Sequence, residues 1–210
     1  MSMHRPRVKF CGITRPEDAA AAAALGVDAI GLVFVPASPR CVSISRARQI
    51  VEQLPPMVTV VGLFMDQPAA EVRSVCDEVP IEVLQFHGRE TPDYCAAFGR
   101  PWWKALTVNE DGTVPVDDWS AATALLLDAH RPGGMGGTGR TLDWRRIIPP
   151  ARPWILAGGL NPSNVAEAVA LLAPPAVDVS SGIETAPGRK DARLMALFME
   201  SIANGTQHGD

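Results

Sequence analysis

The chain has 210 residues, of which 47% are hydrophobic and 20% charged, and its formal net charge is −4. This length fits one large domain or two small ones, and the acidic balance gives no broad basic face for nucleic acid. No apolar run approaches the roughly 18 residues of a membrane span, and the first ten residues lack the apolar core of a signal peptide.

Eight short apolar runs alternate with helical patterns from one end of the chain to the other. The runs begin at Val8, Ala29, Val58, Ile81, Trp102, Ala124, Pro153 and Ala176. Most are continuously apolar, which is typical of parallel strands covered by helices. Together with roughly eight helices they predict an α/β fold, a single (β/α)8 TIM barrel over residues 1–210. A doubly wound open sheet is the alternative, but it usually has fewer strands, and no GxGxxG follows the first run.

Helix-start signals follow several of these runs. Thr14 and Glu17 in "TRPED" have capping-box spacing, and Asp66, Thr91 and Asn161 each stand shortly before a proline. The segment between the fifth and sixth runs has the weakest helical pattern, so it predicts only a short helix. From roughly residue 204 to 210 we expect a flexible tail.

The four cysteines are too widely spaced for a disulfide framework or a zinc site. They are Cys11, Cys41, Cys76 and Cys95, with no CxxC pair and no Cys/His cluster. We therefore expect free thiols in a reducing, cytoplasmic setting.

Polar residues stand where the predicted strands end, which is where barrels carry their function. In chain order they are Cys11, Arg40, Gln85, His87, Asp128 and Asp178. Cys11 fits either a packed thiol or, beside Gly12 at an anion-binding mouth, a base or nucleophile. Asp128 and Asp178 fit either structural carboxylates or an acid and a substrate contact. Arg40 and His87 fit either structural roles or, for Arg40, bidentate binding of a planar carboxylate.

Three glycine-rich turns follow the last three predicted strands. They contain Gly137 and Gly139, Gly158 and Gly159, and Ser181 with Gly182. The last two turns lie where barrels bind phosphate through backbone N–H groups, so they predict a phosphate site. The first, "GGMGGTGR", fits either a mobile lid or a phosphate clamp.

The ordered series of motifs resembles the phosphoribosylanthranilate isomerase family of tryptophan biosynthesis. The motifs run from "KFCGIT" through "GLVFVPASPR", "VGLFMD", "VLQFHG", "LLLDA", "GGTGRTLDW" and "LAGGLNPSNV" to "VDVSSGIE" and "GRKD". The resemblance covers nearly the whole chain. Phe10 stands where the family commonly has an aliphatic residue, and the loop after Asp128 is individual to this chain.

The resemblance implies an Amadori rearrangement of N-(5-phosphoribosyl)anthranilate to 1-(2-carboxyphenylamino)-1-deoxyribulose 5-phosphate. It implies Cys11 as general base and Asp128 as general acid, with Arg40 on the anthranilate carboxylate. Gln85, His87 and Asp178 are the further substrate contacts, and the glycine turns hold the phosphate. Because an iminium intermediate serves as electron sink, no metal and no cofactor are expected. The expected ligand is a phosphosugar, with no nucleic-acid or membrane partner, bound by a monomer or homodimer.

Other classes fit parts of this pattern. A phosphosugar epimerase would normally need metal ligands such as paired histidines. A thiamine-phosphate-type synthase would need a basic, magnesium-assisted pyrophosphate site. The sequence shows neither pattern. A non-catalytic phosphate-binding barrel would tolerate loss of both Cys11 and Asp128, so a turnover assay separates it from an isomerase.

Overall fold

The computed structural model describes residues 5–109, 111–115, 118–128 and 144–205. Its framework is a closed barrel of eight parallel strands, in which each strand pairs with the next and the eighth pairs with the first. The strands are β1 (Arg7–Cys11), β2 (Ala29–Val33), β3 (Thr59–Phe64), β4 (Val83–Phe86), β5 (Trp102–Thr107), β6 (Ala124–Asp128), β7 (Trp154–Ala157) and β8 (Ala176–Val179). The predicted (β/α)8 barrel is confirmed, and the open-sheet alternative is excluded.

Five of the described helices connect successive barrel strands, and the sixth follows the last strand. They are α1 (Pro16–Ala24), α2 (Ile44–Val51), α3 (Ala69–Glu78), α4 (Pro92–Ala96), α5 (Val165–Leu172) and α6 (Ala192–Gly205), with 3-10 turns at Trp144–Arg146 and Ser181–Ile183. Helix α6 includes residues 204 and 205, and the rest of the predicted tail, residues 206–210, lies outside the described residues. Of the helices that the structure describes, none is long and apolar enough to cross a membrane.

Two local predictions were wrong. Thr14 does not cap α1: its hydroxyl donates to the carbonyl of Gly188, because a distant ribbon packs against this turn. The described residues between β5 and β6 form no helix. They form a turn instead, which a backbone hydrogen bond of 2.9 Å from the N–H of Asn109 to the carbonyl of Thr113 closes. The N–H of Thr113 also donates to the carboxylate of Asp111.

The ribbon that meets Thr14 follows β8. It consists of two short antiparallel strands, β9 (Glu184–Ala186) and β10 (Arg189–Lys190). It carries two charged residues, Glu184 and Lys190, back to the mouth of the barrel, where their side chains are almost fully buried.

Side chains alternate between two layers along each barrel strand. The large outer core contains Phe10, Phe64, Phe86 and Phe198, which lie between the strands and the helices. The interior holds smaller apolar groups, in two clusters that include Cys11 and Leu126. The bulky side chains therefore stabilise the outer layer, and the interior keeps room near the ends of the strands.

Candidate active site

A cavity of about 280 Å³ opens at the carboxyl ends of the barrel strands. The structure brings most of the predicted site residues to its wall. They are Cys11, Arg40, His87, Asp128, Gly158, Gly159, Asp178 and Ser181. A thiol, carboxylates, a guanidinium and glycine turns thus share one space, as expected for residues at the carboxyl ends of a barrel.

The remaining predicted residues lie elsewhere. Gln85 is fully buried, and its Nε2 forms a hydrogen bond with Nε2 of His87. It therefore contacts a residue of the cavity lining without lining the cavity itself. Gly182 is not part of the lining. A Cβ at that position would overlap the carbonyl oxygen of Leu160, so glycine allows the loops after β7 and β8 to pack closely. Gly137 and Gly139 lie outside the described residues.

Cys11 ends β1, and its side chain is almost fully buried among small apolar residues. Burial raises the pKa of the thiol because a thiolate is poorly solvated there. The cations of Lys9 and Lys190 act in the opposite direction, and Asp178 adds to the rise. The charges around the cavity therefore decide how readily Cys11 ionises.

Lys9 is a buried charge that sequence reasoning missed. Its Nζ lies 2.8 Å from Oδ1 of Asp178, and both side chains are less than 10% exposed. Burial alone would lower the pKa of Lys9, but Asp178 and Cys11 raise it above its ordinary value, so Lys9 is a cation at neutral pH. The sequence contained a signal for it: Lys9 stands two residues before Cys11 in a strand, so the two side chains point into the same interior.

Arg40 lies at the rim and forms a bidentate ion pair. Its Nε and Nη2 donate to Glu184 at 2.9 and 2.6 Å. Glu184 also accepts from Lys190 Nζ at 2.7 Å, and the same ammonium donates to the carbonyl of Ser180 at 3.0 Å. Burial would raise the pKa of the Glu184 carboxyl, but Arg40 and Lys190 hold it below its usual value. Glu184 and Lys190 were also missed, because their roles depend on the ribbon's folding back.

His87 follows β4 and lines the cavity. Burial, reinforced by the nearby cation of Lys9, lowers the pKa of the imidazole to about 4. The ring is therefore neutral at pH 7, and it supplies hydrogen-bonding nitrogens without a charge.

Asp128 is the last residue of β6, where it pairs in register with Thr107 of β5 and Ala157 of β7. The residue is half-buried and lines the cavity. The preceding residues Leu126 and Ala124 face the interior, and alternation directs Asp128 the same way. A carboxylate at this strand end can reach a ligand held in the cavity.

The turn after β7 has a shape suited to an anion. Gly158 and Gly159 have φ angles of 90° and 69°, a region that glycine adopts without strain. The side chain of Asn164 donates to the carbonyl of Gly159 at 2.9 Å and accepts from the N–H of Asn161 at 2.8 Å. The turn is therefore held in one conformation beside Ser181.

These features define a (β/α)8 barrel with a thiol, carboxylates, a guanidinium and a glycine turn at the mouth where enzymes of this class have their active sites. Within the described residues, no group of three or more His, Cys, Asp or Glu side chains is placed to hold a metal ion. The family model described as N-(5'phosphoribosyl)anthranilate (PRA) isomerase matches residues 8–201. The chain belongs to this family, which confirms the predicted resemblance and the predicted isomerase class.

Individual relatives agree with this membership. A protein of Nitrosococcus oceani named N-(5'-phosphoribosyl)anthranilate isomerase is 53% identical, with 94% of this chain and 98% of the relative covered. The crystal structure of the Thermus thermophilus phosphoribosyl anthranilate isomerase is 41% identical, with a TM-score of 0.83 over 94% of this chain and 98% of that one. A second crystal structure is that of a phosphoribosyl anthranilate isomerase in complex with reduced 1-(o-carboxyphenylamino)-1-deoxyribulose 5-phosphate. It is 35% identical, with a TM-score of 0.76 over 95% of this chain and 99% of that one.

Proposed function

We propose that the protein isomerises N-(5'-phosphoribosyl)anthranilate in tryptophan biosynthesis, with Cys11 as general base and Asp128 as general acid. The observation that carries the residue roles is the placement of these two side chains on one cavity, at the ends of β1 and β6. Membership of the isomerase family supports the overall reaction.

The reaction needs a proton donor and a proton acceptor in the same site. Asp128, protonated, gives its proton to the furanose ring oxygen, and the bond from C1′ to that oxygen breaks. The nitrogen lone pair forms an iminium with C1′, which makes the C2′ proton acidic. The Cys11 thiolate removes that proton, and the electrons of the C–H bond give an enolamine. The enolamine gains a proton at C1′ and loses its hydroxyl proton, which yields the aminoketose.

Binding groups surround this pair. Arg40 holds the anthranilate carboxylate. Its Nη1 makes no hydrogen bond to any described residue, whereas Nε and Nη2 are held by Glu184. Asp178 contacts the sugar hydroxyls, and neutral His87, supported by Gln85, adds an uncharged polar contact. The ligand class is a phosphosugar.

The phosphate lies at the turns after β7 and β8. Gly158, Gly159 and Ser181 line that part of the cavity, and Gly182 allows the two loops to pack. The backbone N–H groups of the three lining residues are the donors we assign to the phosphate. Gly137 and Gly139 stay predicted contacts outside the described residues. The cytoplasmic location, and whether the protein acts as a monomer or a homodimer, stay predictions.

The test of the base is turnover by the Cys11→Ala variant. We expect its kcat to fall by about 10²- to 10⁴-fold, because a methyl group cannot accept the C2′ proton. Purified, chelator-treated protein is mixed with freshly made phosphoribosyl anthranilate, and the loss of anthranilate fluorescence is followed. Cys76→Ala, which removes a half-buried thiol from α3, is the matched control. Unchanged turnover of the Cys11 variant would reject the base assignment, and a folded but inactive wild type would favour a binding barrel.

The test of the acid is the Asp128→Asn variant, which keeps the size of the side chain but cannot donate a carboxyl proton. We expect a loss of kcat of similar magnitude, because ring opening then lacks its proton donor. The same fluorescence assay measures it. Wild-type turnover by this variant would remove Asp128 from the mechanism.

A further inference from the structure

A buried cation lies beneath the thiol inside the barrel. Lys9 and Cys11 are two residues apart in β1, so both side chains point into the interior. Lys9 is the register partner of Asp178 on β8, and the two are joined at 2.8 Å. We propose that Lys9 is a positioning residue for the reaction: its ammonium stabilises the thiolate form of Cys11, and Asp178 holds the ammonium in place. This inference rests on the proposed role of Cys11.

Gly31 supplies the second geometric observation. It is the register partner of Cys11 on β2. A methyl group at position 31 would lie 3.0 Å from Sγ of Cys11 and 3.1 Å from Cε of Lys9. Both atoms therefore border the same small space, within about 6 Å of each other. Because glycine has no side chain, residue 31 places no group between the sulfur and the end of the lysine chain.

The charged groups that face Cys11 come from four places. They are Lys9 on β1, Asp178 on β8, Lys190 on β10 and Arg40 in the loop after β2. Arg40 and Lys190 both donate to Glu184 at the rim. Of the charges around the thiol, Lys9 opposes the effect of burial most strongly. Lys9 is therefore the cation to remove in a test.

The chemistry explains why such a cation matters. The base must be ionised while it faces a substrate that carries a phosphate and a carboxylate, and those anions disfavour a thiolate. Lys9 keeps its proton throughout, since it takes no part in proton transfer. After Cys11 accepts the C2′ proton, the lysine remains paired with Asp178.

The experiment measures the ionisation of Cys11 directly, without substrate. Full-length wild type and the Lys9→Met variant are treated with iodoacetamide between pH 6 and pH 10, and alkylation of the Cys11 peptide is followed by mass spectrometry. We expect the pH midpoint of Cys11 alkylation to be higher in Lys9→Met than in the wild type. At pH 8 the variant should be alkylated at least about tenfold more slowly. The exposed thiol of Cys41 reports the reagent's own pH dependence in the same sample.

Lys104→Met is the matched control. Lys104 is another buried strand lysine, and it also lies 2.8 Å from a buried carboxylate, that of Glu90. It faces the outer layer rather than the cavity thiol, so the Cys11 midpoint is expected to stay at the wild-type value. An equal shift in both variants would mean that loss of any buried lysine loosens the barrel, and would overturn the specific role of Lys9.

A double variant covers the case in which Lys9→Met does not fold because Asp178 is left buried and unpaired. Lys9→Met/Asp178→Asn removes both charges, and we expect a smaller shift in the same direction, because Lys9 outweighs Asp178 at the thiol. If Cys11 in the folded Lys9 variants is alkylated with the wild-type pH midpoint, Lys9 only neutralises the charge of Asp178, and the proposal is overturned. Failure of the proposed function is seen separately, as turnover by Cys11→Ala, so the two outcomes are distinguishable.

Discussion

Ion pairs set the charge states of two buried side chains next to the cavity, and burial sets that of a third. Lys9 is a cation because Asp178 lies opposite it, and Glu184 is an anion because Arg40 and Lys190 both bind it. His87 is the opposite case, because burial keeps it neutral. The cavity wall thus carries an uncharged imidazole, and ion pairs hold the cation of Lys9 and the anion of Glu184 against its lining residues Asp178 and Arg40.

The neutral state of His87 predicts an effect of pH on stability. An unfolded histidine titrates near pH 6.5, whereas folding lowers the pKa of His87 to about 4. The unfolded state therefore binds the extra proton between these values. We expect the contribution of this residue to the free energy of unfolding to be present above about pH 6.5 and to be lost as the pH falls towards 4.

The measurement compares urea unfolding of wild type and His87→Gln at pH 7.0, 5.5 and 4.5. Glutamine keeps a polar group beside Gln85 but does not titrate, so the wild type should lose more stability on acidification than the variant. Parallel curves would contradict the burial of a neutral imidazole. Asp28 and Glu184, whose pKa values are lowered, contribute equally to both proteins.

Residues at strand ends could be predicted from the sequence, whereas their partners could not. Cys11, Asp128 and Asp178 each stop an apolar run, and the barrel pattern alone places such positions at one mouth. The pairing of Lys9 with Asp178 joins residues 169 positions apart, and no local pattern carries that information. The substrate contact of Gln85 stays a prediction, and the structure places this side chain against His87 rather than in the cavity lining, a distinction that a strand-end position does not make.

At the level of elements, loops after two distant strands are joined across the mouth. The ion pair of Arg40 with Glu184 connects the loop after β2 to β9, and Lys190 connects β10 to the end of β8 through Ser180. The ribbon could not be predicted, because two- and three-residue strands have no periodicity to detect. The prediction that Thr14 caps α1 was wrong for the same reason, because the Thr14 hydroxyl donates to a carbonyl of this ribbon.

This junction predicts the kinetic effect of changing Arg40. The substrate carboxylate is present from binding to product, so Arg40→Ala should mainly raise KM, by about 10- to 100-fold for the loss of charged hydrogen bonds, with a smaller change in kcat. Steady-state kinetics measure both. Glu184→Gln is the matched variant, since it weakens the ion pair but keeps the guanidinium, and its KM should rise less. A defect confined to kcat in Arg40→Ala would contradict carboxylate binding.

At the scale of the whole molecule, the pattern of eight apolar runs was sufficient to predict the barrel. Continuously apolar strands must be covered on both faces, and eight of them in strict alternation with helical patterns favour a closed barrel over an open sheet. The structure has helices outside the strands and a packed interior. The segment between β5 and β6 was harder to predict, because glycine, proline and aspartate there fit either a short helix or a turn, and side-chain hydrogen bonds to the backbone favoured the turn.

Closure of the barrel also limits how copies of this protein can associate. Because β8 pairs with β1, every barrel strand has a neighbour on both sides, and none offers a free row of backbone N–H and C=O groups. A second copy cannot join by extending the barrel sheet. Any assembly formed on the barrel must use side chains of helices and loops, so substitutions on those surfaces can change association without altering a strand pairing.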